Sequence, residues 1–368
     1  MVSVLLALPV FLLSVASLLP ISHGISRSFD FPRTQLAIVA FLILLLAIPI
    51  GGMAFPNVIA SVLSLATLAL HLPWILPYTP LWPVQSYRPE KKQVGHEARV
   101  KFMISNVLQD NREYHRVIDL IEHEEPEIVI LMEVDEGWQR ALEAISKNYP
   151  HRLDAYQDNL YGMTLWSKLP CRDAEVRTVV KEGIPSIAAR MLLPTGSEFM
   201  LYAVHPEPPD PVSSTTERDA EIVLIGLEAK KNALPAIVTG DLNDVAWSRT
   251  TQRFLRLSGL VDPRIGRGMY STFHARYPFL RWPLDQLFHD PRFRLIDIRR
   301  LQDVGSDHFP VAFELGFVDD SNMDRNPNGR ADQVDKSEAQ DLIDAVESGE
   351  DSAGGGAAWS AWALRICA

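Results

Sequence analysis

Across its first 83 residues the chain carries only three charged side chains, Arg27, Asp30 and Arg33. Nothing else in the sequence restricts the fold so severely. An N-terminal block this apolar and this long exceeds what a soluble core buries in one piece. Residues 2–22 are uncharged, and so is the run 34–80, which is broken by Pro49, Gly51, Gly52 and Pro56. The run is too long for one crossing. It reads as two spans, 35–52 and 56–77, joined by a tight turn, each close to the ~20 residues that cross a hydrocarbon core. Trp74, Tyr78, Trp82 and Tyr87 gather where the last span ends, as at a headgroup interface. Three transmembrane helices are therefore expected within residues 1–82. A cleaved signal peptide is disfavoured for the first segment, which lacks a basic flank and is followed by further spans. Three crossings put Arg27, Arg33, Arg88, Lys91 and Lys92 on one side with everything after residue 80. The positive-inside rule leans towards the cytoplasm for that side.

Charge divides the rest. The whole chain has a net charge of −11, and residues 317–368 hold 11 acids against four bases. Residues 84–316 are nearly balanced, so no region has the positive surplus that a duplex-binding protein uses. With only two cysteines, Cys171 and Cys367, a disulfide scaffold and a thiolate zinc site are excluded. Residues 83–98 are polar and read as a linker. Residues 99–316 suffice for a full core. The acidic tail, with GGG at 354–356, reads as disordered, with room for a short helix around 333–347.

Between linker and tail, short apolar runs alternate with helical patterns. Strands are expected at 100–104, 127–132, 163–166, 187–193, 199–204, 236–239, 284–288, 293–298 and 311–315, with helices around 117–121, at 138–145 and at 216–230. This mixture argues for a layered α/β fold. Polar groups able to hold metal or phosphate repeatedly follow the strands: Asn106, Glu133, His205, Asp241 and Asn243. Strand ends are where layered α/β folds build sites. In GDLND, Asp241 and Asn243 are two apart, a spacing that points both side chains the same way in extended chain. Asp285 lies inside the apolar run PLDQLF and needs a partner. His308, in SDHFP, is the natural one.

Each segment alone is ordinary. Together and in order, SN at 105–106, ME at 132–133, YGMTLWSKLP at 161–170, VHPEPP at 204–209, GDLND, LDQLF and GSDHFPV resemble the endonuclease/exonuclease/phosphatase superfamily over residues 99–316. The resemblance implies a four-layer α/β/β/α sandwich, here preceded by the three transmembrane helices, and hydrolysis of phosphoesters with Mg²⁺, or Mn²⁺ in its place. By position, Glu133 looks like the metal carboxylate, assisted by Asn106 and Asp307. Asp241 looks like the group that orients and deprotonates the attacking water. Asn243, His205 and Asn106 look like contacts to phosphate oxygens. His308, oriented by Asp285, looks like the group that meets developing negative charge. The pattern departs from the family at Ser105, where an aromatic residue is common, at Gln286, where Tyr is common, and at the prolines after His205 and Glu207.

An apolar N-terminal region ahead of this domain is similar to a bacterial subgroup that includes membrane proteins linked to teicoplanin-type resistance. That similarity implies an integral protein of the bacterial inner membrane, with a lipid-linked phosphate or pyrophosphate as substrate. The resistance proteins are thought to face outward, against the charge lean, so the side stays open. A nuclease is the alternative, with Arg267, Arg276 and Arg281 as candidate contacts. A catalytically silent membrane scaffold is the alternative of another class. No obligate protein partner is evident.

Overall fold

The structure is a computed structural model that describes residues 2–18, 27–90, 93–209, 214–319 and 328–349. The chain forms two compact units.

The first unit is helical: α1 (Val2–Ala16), α2 (Arg33–Gly51) and α3 (Phe55–Ile75). Ala7, Ala47 and Ala60 meet between the helices. Such small side chains let apolar helices approach closely. Buried Ser14 and His71 hydrogen-bond at 2.8 Å across α1 and α3. Two of the three charges pair with each other, Arg33 to Asp30 at 2.5 Å. Asn57 closes the turn after α2 by donating to the carbonyls of Gly51 and Gly52. The outer surface is apolar, with Leu5, Phe41, Leu45, Val62 and Leu65 exposed. The expectation of three full spans needs correction. Among the described residues, two helices are long and apolar enough to cross a membrane, Arg33–Gly51 and Phe55–Tyr78. At 15 residues, α1 rises only ~22 Å, short of a ~30 Å hydrocarbon core.

The second unit holds two sheets. One has the order β10-β11-β1-β2-β4-β3 and the other β5-β6-β7-β8-β9. The strands are β1 (Arg99–Asn106), β2 (Ile128–Met132), β3 (His151–Ala155), β4 (Met163–Ser167), β5 (Cys171–Thr178), β6 (Pro185–Leu192), β7 (Glu198–Ala203), β8 (Ala236–Asp241), β9 (Asp285–His289), β10 (Phe293–Arg300) and β11 (Val311–Phe317). Ile104, Ile130 and Leu165 of one sheet pack on Ile187, Leu201 and Ile237 of the other in one core. The opposite face of the first sheet, through Met103, Val129 and Leu131, is covered by α4 (Tyr114–Glu124) and α5 (Glu136–Leu142). The outer face of the second sheet, through Tyr202, Val238 and Phe288, is covered by α6 (Thr216–Lys231), α7 (Arg249–Ser258) and α8 (Gln333–Ser348). The result is an α/β/β/α sandwich. Strands buried on both faces explain why the central runs are continuously apolar rather than alternating.

Two parallel pairs position the chemistry. β1 pairs with β2 and β7 with β8, each across a helical crossover. β1 and β2 therefore end together, as do β7 and β8, and the Asn106–Asp241 hydrogen bond joins the two sets of ends. β9 runs antiparallel to β8 and sets Asp285 opposite Asp241.

Three further readings change. The edge strands β3 and β5 lack an apolar run, because an edge strand exposes polar residues; β5 is CRDAEVRT. The segment 83–98 is less a linker than an edging of the second unit. Ser86 bonds His289 at 2.8 Å, and Val94 is buried. Within the tail expected to be disordered, the short helix allowed for around 333–347 is present as α8, and it is packed. Asp332 and Asp335 form a reciprocal capping box, Arg256 clasps Asp335 at 2.6 Å, and Ala339, Leu342, Ile343 and Val346 are buried. A four-residue apolar stripe at helical spacing is enough to hold an otherwise acidic segment once a sheet-covering helix is there to receive it. The terminal WSAWALRICA segment lies outside the described residues.

Candidate active site

Asp241 ends β8 fully buried, and its backbone conformation is prepared by the residue before it. Gly240 has φ +141°, and a Cβ there would lie 1.9 Å from the carbonyl oxygen of Val204. Only glycine fits this approach. Gly240→Ala should lower stability by about 3 kcal/mol or more, because the obstruction is backbone and cannot swing aside. A melting temperature within a degree or two of the parent would contradict this.

The Asp241 carboxylate is the hub of the site. Its Oδ2 accepts from Asn106 Nδ2 at 3.1 Å and lies 3.8 Å from His205 Nε2 and 3.6 Å from His308 Nε2. Its Oδ1 accepts from the Asn243 backbone N–H at 2.9 Å. Asn106 Nδ2 also donates to Glu133 Oε1 at 2.7 Å, so one amide joins two acids from two strands. The second oxygen of Glu133 accepts from Gln109 N at 3.2 Å. Glu133 adopts φ +61° and Asn243 φ +49°, left-handed conformations that cost energy and concentrate at functional sites.

His308 approaches from the loop before β11. Its Nδ1 lies 2.7 Å from Asp285 Oδ2, and its backbone N–H donates to Ser306 Oγ at 3.0 Å. Ser306 Oγ in turn donates to the Asn106 carbonyl at 2.8 Å, tying the loop to β1. The Phe273 ring covers the imidazole, with centroids 4.9 Å apart. Burial opposes charge on His308, but Asp285 and then Asp241 overcome it and push the ring up to about 10. His308 is thus an imidazolium at neutral pH, with Asp285 fixing its orientation. Asp241, Asp285 and His308 together have the spacing of a metal cluster. Within the trio His308 Nδ1 is already paired with Asp285 at 2.7 Å and Nε2 faces Asp241 at 3.6 Å, so the three also form a buried ion network.

Glu133 suits a cation. Burial raises its pKa, with Asp241 adding to the effect and Asn106 and His205 opposing it. A half-buried acid beside a second acid is relieved by a hard divalent ion. A carboxylate with water is a ligand set that Mg²⁺ accepts, and Asn106, whose Nδ2 faces both acids while its Oδ1 accepts from Leu108 N at 3.0 Å, would add its oxygen only with the amide turned over. Of the expected ligands, Glu133 and Asn106 are in contact. Asp307 stands apart, with its carboxylate 3.4 Å from Ser306 Oγ and its carbonyl accepting from Ala275 N. Asn243 donates its amide to the Pro206 carbonyl at 2.9 Å and keeps one N–H for a ligand. His205 Nδ1 is buried without a partner among the described residues.

Several contributors were not singled out from the sequence. The Tyr161 ring lies 5.6 Å from that of His205. Its neighbour Gly162 was the available signal, since a Cβ there would meet the Val134 carbonyl at 1.9 Å. Arg218 of α6 donates to the Asn243 carbonyl at 3.1 Å. Gln286, a departure from the expected Tyr, accepts from Arg264 at 2.7 Å and donates to the Asp244 carbonyl at 2.7 Å. It supports the loop rather than the site.

The model of the Endonuclease/Exonuclease/phosphatase family matches residues 102–308. No curated protein matches the chain. Among solved structures, an endonuclease/exonuclease/phosphatase from Bacteroides vulgatus is 20% identical, with 60% of this chain and 99% of that one covered and a TM-score of 0.51. A family protein from Bacteroides thetaiotaomicron is 16% identical over 60% and 99%, with a TM-score of 0.51. The human Nocturnin catalytic domain, solved with bound sulfate, is 16% identical over 60% and 95%, with a TM-score of 0.50. At these identities the likeness is one of fold.

Proposed function

The chain belongs to the endonuclease/exonuclease/phosphatase family, hydrolases of phosphate esters, and from that premise we propose a membrane-anchored, Mg²⁺-dependent enzyme acting on a lipid-linked phosphate or pyrophosphate. The single observation that carries the reading is one buried edge uniting Asn106, Glu133, His205, Asp241 and the Asp285–His308 pair. Glu133, with the amide oxygen of Asn106, would hold the metal, and Asp307, expected as a further ligand, lies on the loop that carries His308. Bound there, Mg²⁺ supplies positive charge to a phosphoryl oxygen. Asp241 orients a water and takes its proton. Asn243 and His205 hold non-bridging oxygens through the N–H groups left to them. The His308 imidazolium faces the negative charge that grows on the phosphoryl group, and Asp285 keeps the ring from turning. These donors are fixed before the reaction, which is what makes such electrostatic stabilisation effective.

The lipid assignment is supported by the two helices of membrane-spanning length and their exposed apolar surfaces. A catalytic unit tethered to a bilayer meets lipid head groups at raised effective concentration. The near balance of charge in residues 84–316 supports the same choice over a duplex nuclease. The bacterial inner membrane is the location this implies.

The test is hydrolysis by purified protein in detergent, against undecaprenyl pyrophosphate, a phosphatidyl ester, sphingomyelin and plasmid DNA. Turnover of a lipid phosphate, abolished by EDTA and restored by Mg²⁺, is the expected result. Cleavage of the plasmid alone would replace this reading with a nuclease.

A further inference from the structure

Beside β10 and α4 lies a cavity of about 820 Å³. Its lining sets Arg281, Arg299 and Arg300 against one carboxylate, Glu124. That carboxylate is already neutralised, with Arg299 Nη2 and Lys101 Nζ each 2.8 Å from its Oε2. Arg281 and Arg300 differ from Arg299. Both guanidinium groups lie over the Phe309 ring, at 4.9 and 4.5 Å. Their hydrogen bonds go to neutral carbonyls: Arg281 to His274 at 3.3 Å and Ala275 at 2.7 Å, Arg300 to Ser271 at 3.0 Å. Among the described residues neither forms an ion pair with a carboxylate. Burial and then the charge of Arg281 lower the pKa of Arg300, as two cations without a counter-ion must. The carbonyl bonds fix both guanidinium planes and leave several of the five N–H donors on each free. Two cations held on one ring beside an open cavity leave positive charge and fork-shaped N–H donors of the kind that recognise phosphate.

We infer that this cavity binds a phosphate-bearing anion through Arg281 and Arg300, at a site separate from the catalytic centre. Separation follows from the backbone. His308 bridges Phe273 and the Phe309 N–H donates to Thr272, so the segment is extended and successive side chains point to opposite faces. Phe309 and its arginines therefore turn away from the face that His308 uses. The loop that supplies Arg281 also exposes Tyr277, Phe279 and Leu280, which are 56, 85 and 50% accessible. An anion with an acyl chain would satisfy both features, and a free phosphate only the first.

Calorimetry on the full chain in nonionic micelles, without divalent metal, separates these sources. One arm adds inorganic pyrophosphate and the other dopes the micelles with phosphatidic acid. Saturable binding in either arm, weakened at least about tenfold in Arg281→Gln/Arg300→Gln, is expected. The arm that responds identifies the source. Arg300→Gln alone, at an exposed position, keeps the test valid if the double variant does not fold, and a loss of at least about threefold is expected from it. Binding unaffected by these substitutions, or no binding in either arm, overturns the inference. The readout needs no turnover, so it stands or falls apart from the hydrolase assignment.

Discussion

Asp241→Asn is expected to reduce kcat by about 10³-fold while leaving the melting temperature at or above that of the parent, within the range of general-base losses. The two halves of this expectation come from the same geometry. Asparagine keeps the shape of the side chain and an oxygen to accept the Asn243 N–H, now 2.9 Å from Oδ1. It loses the charge and the basicity that a water-activating group needs. Asp241 also raises the pKa of both Glu133 and Asp285, so it is a third negative charge in a confined space. Removing it relieves repulsion between buried acids, which opposes any loss from weaker contact with His308. Single-turnover hydrolysis and thermal unfolding, run on the same preparation, check both halves. A loss below tenfold would mean that another group handles the water. A large loss accompanied by unfolding would make Asp241 a structural acid.

Much of this architecture was legible because buried strands and strand ends leave strong local marks. The expected strands 127–132 and 236–239 have apolar centres, 128–132 and 236–238, buried on both faces, and β2 and β8 occupy them. The acids that follow, Glu133 and Asp241, are ordinary strand-end carboxylates taken singly; only the order of the motifs and the resemblance they carry picked them out, and the structure brings both to Asn106. The partnership of Asp285 with His308 could be read because a carboxylate inside an apolar run needs a partner, and the 2.7 Å contact bears it out. What escaped depends on contacts distant in sequence. β5 has no apolar pattern, since its pairing with β6 defines it as an edge. The helix at α8 was allowed for, but its packing on α6 and α7 is not announced by its acidic composition. Phe273 and Tyr161 join the site through loops whose paths no local pattern sets. The length of α1 was overestimated because hydropathy continues past the point where the helix stops.

Glu221 offers the other large effect, on stability rather than turnover. It lies on α6, only 3% exposed, with Oε1 lacking a partner among the described residues. Burial, followed by the charge of Glu207, pushes its pKa up to about 8 against an ordinary 4.5, with Arg177 pulling the other way. An acid whose pKa is raised by folding binds its proton more tightly in the native state. Between about pH 4.5 and 8 the native protein holds a proton that the unfolded chain has released, so stability falls as pH rises through that window. Below it the carboxyl is neutral in both states and costs nothing of this kind. Above it the penalty is complete, on the order of 3 to 5 kcal/mol. Glu221→Gln keeps the volume and removes the ionisation. The variant should match the parent near pH 4.5 and exceed it increasingly towards pH 8.5, by about 6 to 20 °C in melting temperature for a unit of this size. Parallel melting curves for parent and variant across that range would show that Glu221 finds compensation in the native state. The consequence reaches the catalytic edge, because α6 also carries the Arg218 that holds the Asn243 carbonyl at 3.1 Å. A helix loosened by an uncompensated charge at high pH would slacken that hold first, so the temperature at which activity is lost should rise with the melting temperature in Glu221→Gln.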